Sequence, residues 1–328
     1  MAKGTAYDQV RQGDKKDFTK IANARLDSIR SQFTQAPRAG KLKNKVCIIT
    51  GVGSLKGIGR ASALLFAHEG AKHLYLVDFD PTNLPNLKET IESKYPDVKA
   101  TTLQADASDE AAISGICNQA LEEEGRLDVF FANAGIASMK YLSQITAEGF
   151  MNTVKINSLS CFLAVKHGSA AMKKTSPSKE VSSGSIILTA SIAGLSSGAG
   201  PVDYSASKAA VNSIAKTSSY QLQKTDIRVN SICPGLIETA MTSATFDFAR
   251  GKGTDSKLGQ LSALGRYAIP EGIGSPPRIV TGAKFDLLEI APLALYLASD
   301  DSSYVNGQNI AIDGGLSASI PVVPGRWA

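Results

Sequence analysis

A tyrosine, a lysine and a serine in the middle of the chain have the types and spacing of an acid–base site. Tyr204 and Lys208 are four residues apart, so on a helix they share one face and the ammonium group can sit beside the phenol. A free phenol titrates near pH ~10, and a neighbouring cation stabilises the phenolate. Ser191 precedes Tyr204 by thirteen residues and adds a hydroxyl group. The set predicts proton transfer, although a Tyr–Lys pair taken alone is usually a surface feature.

A glycine-rich turn near residue 50 predicts a phosphate-binding site. The run Thr50–Arg60 reads Thr-Gly-Val-Gly-Ser-Leu-Lys-Gly-Ile-Gly-Arg and leads from an apolar run into a helical pattern. Backbone N–H groups at such a turn can approach a pyrophosphate. Asp78 lies 19 residues beyond Gly59, where a carboxylate accepts hydrogen bonds from an adenosine ribose. The pair predicts dinucleotide binding, and the alternative is that Asp78 is a turn residue at a strand end.

Short apolar runs alternate with longer helical patterns and must hold these residues in place. The runs are continuously apolar rather than alternating, which is typical of strands buried on both faces. They are Val46–Thr50, Leu74–Val77, Thr101–Ala105, Val129–Ala132, Ser185–Thr189, Arg228–Ile232 and Asn309–Ile312. Strands that alternate with helices predict an α/β fold, a Rossmann-like doubly wound parallel sheet with helices on both faces.

Composition excludes several classes of protein. The 328 residues are 43% hydrophobic and 20% charged, so the chain can bury a large core and is not disordered as a whole. Its apolar runs fall short of the ~18 residues that a membrane span needs, and its polar first thirty residues do not resemble a secretory signal. We therefore expect a cytoplasmic protein without a membrane span.

Positive charge is concentrated in the leading segment. Residues 1–45 hold 11 Lys or Arg against 4 Asp, a net charge of +7. The whole chain has a net charge of +5, so residues 46–328 together carry a net charge of −2. A nucleic-acid-binding protein carries its basic face on the folded domain, so we expect no nucleic-acid partner. The predicted organisation is a basic extension at 1–41, a dinucleotide-binding domain at 42–318 and a tail at 319–328.

The basic extension contains an apolar stripe at helical spacing. This stripe predicts an amphipathic helix at about 15–34 that docks on the body of the protein or on a neighbouring subunit. A targeting or membrane role is the alternative. The members of the stripe are Phe18, Ala22, Leu26, Ile29 and Phe33.

These residues and several further motifs, in the same order, resemble the short-chain dehydrogenase/reductase superfamily in its single-domain form with a Tyr-x-x-x-Lys pair. The resemblance covers about 42–317. The motifs that carry it are Gly51 with Gly57-Ile58-Gly59, Asp106, Asn133-Ala134-Gly135, Asn157, Ser191, Tyr204, Lys208, Arg228-Val-Asn230, Pro234-Gly235 with Thr239, and Asp313-Gly314-Gly315. It implies an oxidoreductase that interconverts a secondary alcohol and a ketone by hydride exchange with a nicotinamide cofactor.

The resemblance also implies a role for each matched residue. Tyr204 would be the general acid/base, Lys208 would favour its phenolate and hold the nicotinamide ribose, and Ser191 would bind the substrate oxygen. Asn157 would hold a water in a proton relay through Lys208, and Asp106 would face the adenine. The implied cofactor-binding residues are Gly51, Gly57, Ile58, Gly59, Asp78, Asp106, Ala107, Asn133, Ala134, Gly135, Tyr204, Lys208, Pro234, Gly235, Ile237 and Thr239.

Two charged residues conflict over the choice of cofactor. Asp78 would repel a 2′-phosphate by a few kcal/mol at close range. Lys56 precedes Gly57, where members of the family that use NADP often carry a basic residue. A flexible exposed lysine contributes only ~1 kcal/mol or less. We therefore predict NAD, with NADP as the alternative.

The glycine turn departs from the family pattern. Five residues separate Gly51 from Gly57 where the family usually has three, unless Gly53 takes the first-glycine role at the end of a longer strand. Enoyl reductases of the superfamily have a similarly enlarged turn, but they space their catalytic Tyr and Lys more widely. An enoyl (C=C) reductase is therefore one alternative function. A dinucleotide-binding scaffold or sensor without turnover is the other.

The segment at about 241–285 predicts an enlarged substrate lid. It follows Thr239, it contains the extra residues 267–285, and it has many apolar side chains that could instead form a subunit contact or a small core. Further apolar residues are predicted around the mouth of the site, so a bulky lipophilic or aromatic ketone fits best. These mouth residues are Ile136, Met139, Ile192, Leu195 and Leu236.

The sequence also bears on assembly and on metal binding. Family members are commonly tetramers or dimers built on the helices that carry Asn157 and Tyr204, so we expect a homo-oligomer. The three histidines lack ligand spacing and the four cysteines form no Cys-x-x-Cys pair. We therefore predict no metal site, and we predict buried thiols in a reducing compartment.

Overall fold

A seven-stranded parallel sheet forms the centre of the molecule. The computed structural model describes residues 37–196, 198–254, 258–259, 261–264, 267–268 and 289–318. The strands are β1 (Val46–Thr50), β2 (His73–Asp78), β3 (Lys99–Gln104), β4 (Val129–Ala132), β5 (Gly184–Thr189), β6 (Ile227–Pro234) and β7 (Asn309–Ile312). They pair in the order β3-β2-β1-β4-β5-β6-β7, every pair parallel. The predicted doubly wound α/β fold is confirmed.

Each of the predicted apolar runs is a strand, with small differences at the ends. β3 begins two residues before the predicted Thr101, and most of its residues are only partly buried or exposed because it lies at the edge of the sheet. β6 extends to Pro234 and is buried along its whole length. A buried strand needs apolar side chains on both faces, and this is why the continuous runs were readable in the sequence.

Helices cover both faces of the sheet. They are α1 (Ile58–His68), α2 (Leu84–Lys94), α3 (Glu110–Glu124), α4 (Ala147–Val154), α5 (Ser160–Met172), α6 (Val202–Gln221), α7 (Ser243–Gly251) and α8 (Ala291–Ala298). Alternate residues of β1 point to opposite faces, so Cys47 and Ile49 pack in one apolar core while Val46 and Ile48 pack in the other. The first core includes α1, α2 and α8, and the second includes α3, α5 and α6.

A π-helical segment joins α4 to α5. Residues Lys155–Leu159 adopt this wider turn, so Ala147–Met172 is one continuous helix with an extra residue in its middle. Asn157 lies at the centre of the segment and is fully buried. Single π turns inside α-helices are frequent at functional sites, which directs attention to this part of the molecule.

The strand order creates a crevice at the carboxyl ends of the central strands. β1 pairs with β2 on one side and with β4 on the other, so the chain reverses its direction across the sheet after β3. In open α/β sheets, ligands bind at such a reversal, beyond the carboxyl ends of the strands. The glycine-rich turn follows β1 and Ser191 follows β5, so both lie at this edge.

Several expectations concern residues outside the described ranges. The predicted amphipathic helix at about 15–34, the tail at 319–328 and most of the insertion at 267–285 lie there. The four cysteines are buried, as expected, and burial raises the pKa of each thiol. Among the described helices, none is long and apolar enough to cross a bilayer.

Candidate active site

The glycine-rich turn folds tightly between β1 and α1. β1 ends at Thr50, and Gly51 follows it in the left-handed region, with φ 74°. A Cβ on Gly59 would overlap the carbonyl oxygen of Gly51, so the first turn of α1 lies directly against the strand end. Gly57 is the N-cap residue of α1 and has no side chain to cap the helix. The N–H groups of Ile58 and Gly59, at the start of α1, thus receive no side-chain partner from the cap and can bind an anion.

Asp78 fastens this turn to the end of β2. Its Oδ2 accepts a hydrogen bond from the N–H of Gly53 at 2.7 Å, and its Oδ1 accepts one from the N–H of Asp80 at 2.9 Å. The side-chain amide of Asn83 donates to the carbonyl of Gly53 at 2.8 Å. Two segments after β1 and β2 therefore form one wall, with the Asp78 carboxylate in it.

Asn133 ties the ends of three central strands together. Its side-chain Nδ2 donates to the carbonyl oxygens of Thr50 and Gly51, at 3.3 and 3.1 Å. Its Oδ1 accepts from the hydroxyl of Thr189 at 3.1 Å, at the end of β5. The hydroxyl of Thr50 in turn accepts from the N–H groups of Asn133 and Ala134. These bonds fix the floor of the crevice.

Tyr204, Lys208 and Ser191 lie together beyond the ends of β5 and β6. Lys208 Nζ donates to the carbonyl oxygen of Thr189 at 2.7 Å and lies 5.7 Å from the centre of the Tyr204 ring. Lys208 is buried, so its charge acts in a region from which much of the water is excluded. Ser191 Oγ accepts from the N–H of Ala193 at 3.1 Å, which fixes the hydroxyl position. The three residues therefore form one polar cluster.

A close backbone approach positions the Ser191 turn against α6. A Cβ on Gly194 would lie 2.5 Å from the carbonyl carbon of Lys208, so this position admits no side chain. Asn212, one turn further along α6, donates to the carbonyl of Gly194 at 3.2 Å. The separation between Ser191 and the Tyr204–Lys208 pair is set by this contact.

Replacing Gly194 by Ala is expected to lower kcat/KM by about 10²-fold, because a misplacement near 1 Å has effects of that size. Circular dichroism and steady-state kinetics measure the effect. Gly115→Ala is the matched control, since a Cβ there meets nothing within 4 Å. If Gly194→Ala keeps kcat/KM within about twofold of the wild type, this contact does not position Ser191.

Asn157 connects the π segment to both the crevice and α6. Its Oδ1 accepts from the N–H of Ile136 at 2.8 Å, and its Nδ2 donates to the carbonyl of Ile136 and to the hydroxyl of Ser207, both at 2.9 Å. Ser207 donates in turn to the carbonyl of Tyr204 at 2.7 Å. Asn157 thus holds the loop after β4 and the helix of the tyrosine in a fixed relation.

Two adjoining cavities meet at this cluster. The first has a volume of about 720 Å³ and runs from the glycine-rich turn and Asp78 to Lys208 and Thr239. The second has a volume of about 690 Å³ and is mostly apolar. Both are lined by Ser191, Tyr204, Gly235, Met241 and Thr242.

Most of the predicted cofactor residues line the first cavity, and four residues of the predicted site do not. Asp106 accepts hydrogen bonds from the N–H and hydroxyl of Ser108, so its carboxylate is engaged within its own turn. Ala107 is buried, Gly59 packs on Gly51, and Asn157 lies behind Gly135. The predicted residues that line it are Gly51, Gly57, Ile58, Asp78, Asn133, Ala134, Gly135, Ser191, Tyr204, Lys208, Pro234, Gly235, Ile237 and Thr239.

Other lining residues were not predicted. Thr189 ends β5 and Ala190 follows it, and their place at a strand end was a signal that could have identified them. The remaining members depend on how the turns fold back, for which the sequence carries no periodic signal. They are Ser54, Leu55, Asp80, Asn83, Ala240 and Thr242.

A family model and several curated proteins match most of the chain. The family model described as enoyl-(acyl carrier protein) reductase matches residues 51–317. The chain is 34% identical over 276 residues to 3-oxoacyl-(acyl-carrier-protein) reductase FabG of Thermotoga maritima, with 84% of this chain and 99% of that protein covered. It is also 34% identical to levodione reductase of Leifsonia aquatica, over 85% of this chain and 96% of that protein.

Solved structures have the same fold. The crystal structure of levodione reductase has a TM-score of 0.72 and 32% identity, and the alignment covers 85% of this chain and all of that one. A short-chain dehydrogenase from Mycobacterium paratuberculosis, bound to NAD, has a TM-score of 0.70 and 28% identity over the same shares of the two chains. The chain belongs to the short-chain dehydrogenase/reductase superfamily. It is an oxidoreductase of that superfamily, and the resemblance inferred from the motifs is confirmed.

Proposed function

We propose that this protein interconverts a secondary alcohol and a ketone by hydride exchange with a nicotinamide dinucleotide. The observation that carries the proposal is the place of Ser191 and Tyr204, which line both cavities where these meet. A carbonyl group at this junction would lie beside two hydroxyl groups and next to the first cavity. The proton and the hydride could then be transferred to the oxygen and the carbon of one carbonyl group.

The residues of the first cavity fit a dinucleotide. The open N-terminus of α1 and the glycine-rich turn suit a pyrophosphate, and Asp78 suits a ribose. Ser54 lines the first cavity, and its hydroxyl is buried without a hydrogen-bond partner among the described residues. A phosphate oxygen bound there would supply the missing partner. Lys208 would hold the second ribose, while Pro234, Ile237 and Thr239 would hold the nicotinamide end.

The protein supplies binding, orientation and a proton. A bound nicotinamide cofactor would supply the hydride for reduction of the carbonyl carbon or would take it up in oxidation of the alcohol carbon. Tyr204 donates its phenolic proton to the carbonyl oxygen during reduction and removes the hydroxyl proton during oxidation. The Lys208 ammonium stabilises the phenolate that reduction leaves. Ser191 donates a hydrogen bond to the same oxygen, where negative charge develops.

Charges at the ribose end of the cavity favour NAD over NADP. Asp78 and Asp80 both line this end, so two carboxylates would face a 2′-phosphate. Lys56 lines the same cavity and is the opposing charge. Asp78 is held by two backbone N–H groups and lies in the wall, whereas Lys56 is exposed. A fixed carboxylate outweighs a solvated ammonium group in this balance.

The second cavity supports a bulky lipophilic or aromatic substrate. Of the predicted mouth residues, Met139, Ile192 and Leu236 line it, and Ile136 and Leu195 do not. Val202 and Leu316 add apolar surface. Lys140 is the one charged residue among the described residues that line it. Few polar groups are present to bind a sugar or a phosphorylated substrate.

Turnover of a defined panel tests the function. The purified protein is given NADH or NADPH with cyclic and aryl ketones, a small sugar ketone and an enoyl thioester, and absorbance at the nicotinamide band is followed. Ketone reduction with preference for the lipophilic members is the expected result. Reduction of the thioester alone would instead establish a C=C reductase, the activity that the description of the family model favours. Cofactor binding without any turnover would establish a scaffold or sensor.

We also propose a cytoplasmic homo-oligomer. α6 exposes small side chains at Ala206, Ala209 and Ser213, and α5 exposes the aromatic ring of Phe162. Small residues allow close helix packing, and buried free thiols suit a reducing compartment. Light scattering at micromolar concentration should give the mass of a dimer or tetramer, and Phe162→Arg should reduce it. A Tyr304→Arg variant is the control at a fully exposed position, and a monomeric wild type would refute the proposal.

A further inference from the structure

A buried carboxylate lies directly beside the proposed catalytic tyrosine. Asp203 is in the first turn of α6, is fully buried and lines neither cavity. Its Oδ1 accepts a hydrogen bond from the Ser138 hydroxyl and its Oδ2 accepts one from the Thr153 hydroxyl, each at 2.9 Å. Burial opposes the charge, but the hydrogen bonds from Thr153 and Ser138 hold the pKa of this carboxyl below its usual range. The ionised carboxylate therefore joins three separate segments.

One of these segments is a wall of the second cavity. Residues 137–142 follow β4, and Ala137, Met139, Lys140, Tyr141 and Leu142 line the cavity. Met139 has φ 52°, in the left-handed region of backbone conformation that residues other than Gly, Asn and Asp rarely adopt. It is also half exposed, so burial of its side chain does not explain the conformation.

Ser138 brackets this strained residue. Its hydroxyl donates to Asp203 and accepts from the N–H of Lys140 at 3.4 Å. The residue before Met139 is therefore hydrogen-bonded to the residue after it and is also held by Asp203. Asn157 holds Ile136, two residues earlier. Hydrogen bonds thus hold the loop at Ile136 and at Ser138. Met139, which lines the second cavity, directly follows Ser138.

We propose that Asp203 is a positioning residue which, through Ser138, holds Met139 in its left-handed conformation and thereby sets the fit of bulky substrates in the second cavity. The proposal rests on the function proposed above for that cavity. Thr153, the second hydrogen-bond partner of the carboxylate, lies on α4 and not in the cavity wall. Removing the Ser138 or the Thr153 hydroxyl therefore distinguishes an effect on the wall from an effect on α6 as a whole.

Kinetics of matched variants provide the first test. Ser138→Ala releases the wall, and we expect KM for a bulky cyclic ketone to rise about five- to tenfold, the size of effect that losing one typical intramolecular hydrogen bond has. KM for a small ketone and kcat should stay within about twofold. Ser138→Thr keeps the hydroxyl and should restore the KM. Thr153→Val removes the other hydroxyl from the same carboxylate and should leave the ratio of the two KM values unchanged.

An NMR measurement tests the same proposal without turnover. The chain has 5 methionines, and methyl-labelled protein gives one signal for each, with Met139 assigned through Met139→Leu. Ser138→Ala should shift or broaden the Met139 signal, whereas Thr153→Val should not. An unchanged Met139 signal in Ser138→Ala, or an equal KM ratio in both variants, would overturn the proposal. A shifted signal in a protein that reduces no ketone would refute the proposed function and leave the positioning role intact.

Discussion

Tyr204→Phe is expected to lower kcat by about 10²–10⁴-fold, because the variant keeps the ring and loses the proton that the reaction transfers. The ring remains 5.7 Å from Lys208 Nζ, so the wall of the first cavity should keep its shape. Dinucleotide affinity should change little, since the pyrophosphate and adenosine contacts lie at the other end of the cavity. Stopped-flow and steady-state kinetics measure kcat, and fluorescence titration measures the affinity.

The matched control for this variant is Tyr220→Phe. Tyr220 is on the same helix, four turns further along, and is exposed. It should retain the wild-type kcat. Near-normal turnover in Tyr204→Phe would show that another group transfers the proton, and the acid–base assignment would fail.

Asp78→Asn is expected to change the preference between cofactors by about 10–10²-fold, because a charge near a 2′-phosphate is worth a few kcal/mol. The wild type should have a higher kcat/KM with NADH than with NADPH. In the variant, the value with NADH should fall and the value with NADPH should rise. Both are measured with the same ketone under one set of conditions.

Asp80→Asn is the control for the charge at the same end of the cavity. Asp80 is exposed, and its carboxylate bonds Thr82, so its effect should be smaller than that of Asp78. The unfolding midpoint of Asp78→Asn should be recorded as well, since Asp78 also holds Gly53. A wild type that prefers NADPH would show that Lys56 decides the preference.

The sheet was predictable because burial on both faces leaves a simple mark on the sequence. Val46–Thr50 and Val129–Ala132 were predicted with the bounds that the structure shows. β3 was placed two residues late, since an edge strand is partly exposed and its first residue is a lysine. Short-range apolar pattern thus determines the strands, and its weakening at the edge explains the error.

The candidate site was predictable where residues follow a strand directly or share a helix face. Tyr204 and Lys208 are one turn apart, and Gly51 and Asn133 each follow a strand. The hydrogen bonds of Asp203 could not be predicted in the same way. Its partners are 65 and 50 residues away in the sequence, and they meet it only because the β4 loop and α4 pack against α6.

The order of the strands also bears on how the chain reaches this structure. β1, β2 and β3 come from residues 46–104 and can pair before the rest of the chain is made, at a synthesis rate of about 5–20 residues per second. The other edge of β1 then stays unpaired until β4 arrives, and the residues there are Val46–Thr50, an apolar run without charge. Such an edge readily pairs with a second chain. We expect folding during synthesis to compete with aggregation most strongly at this step, so the soluble fraction should fall as the rate of expression rises.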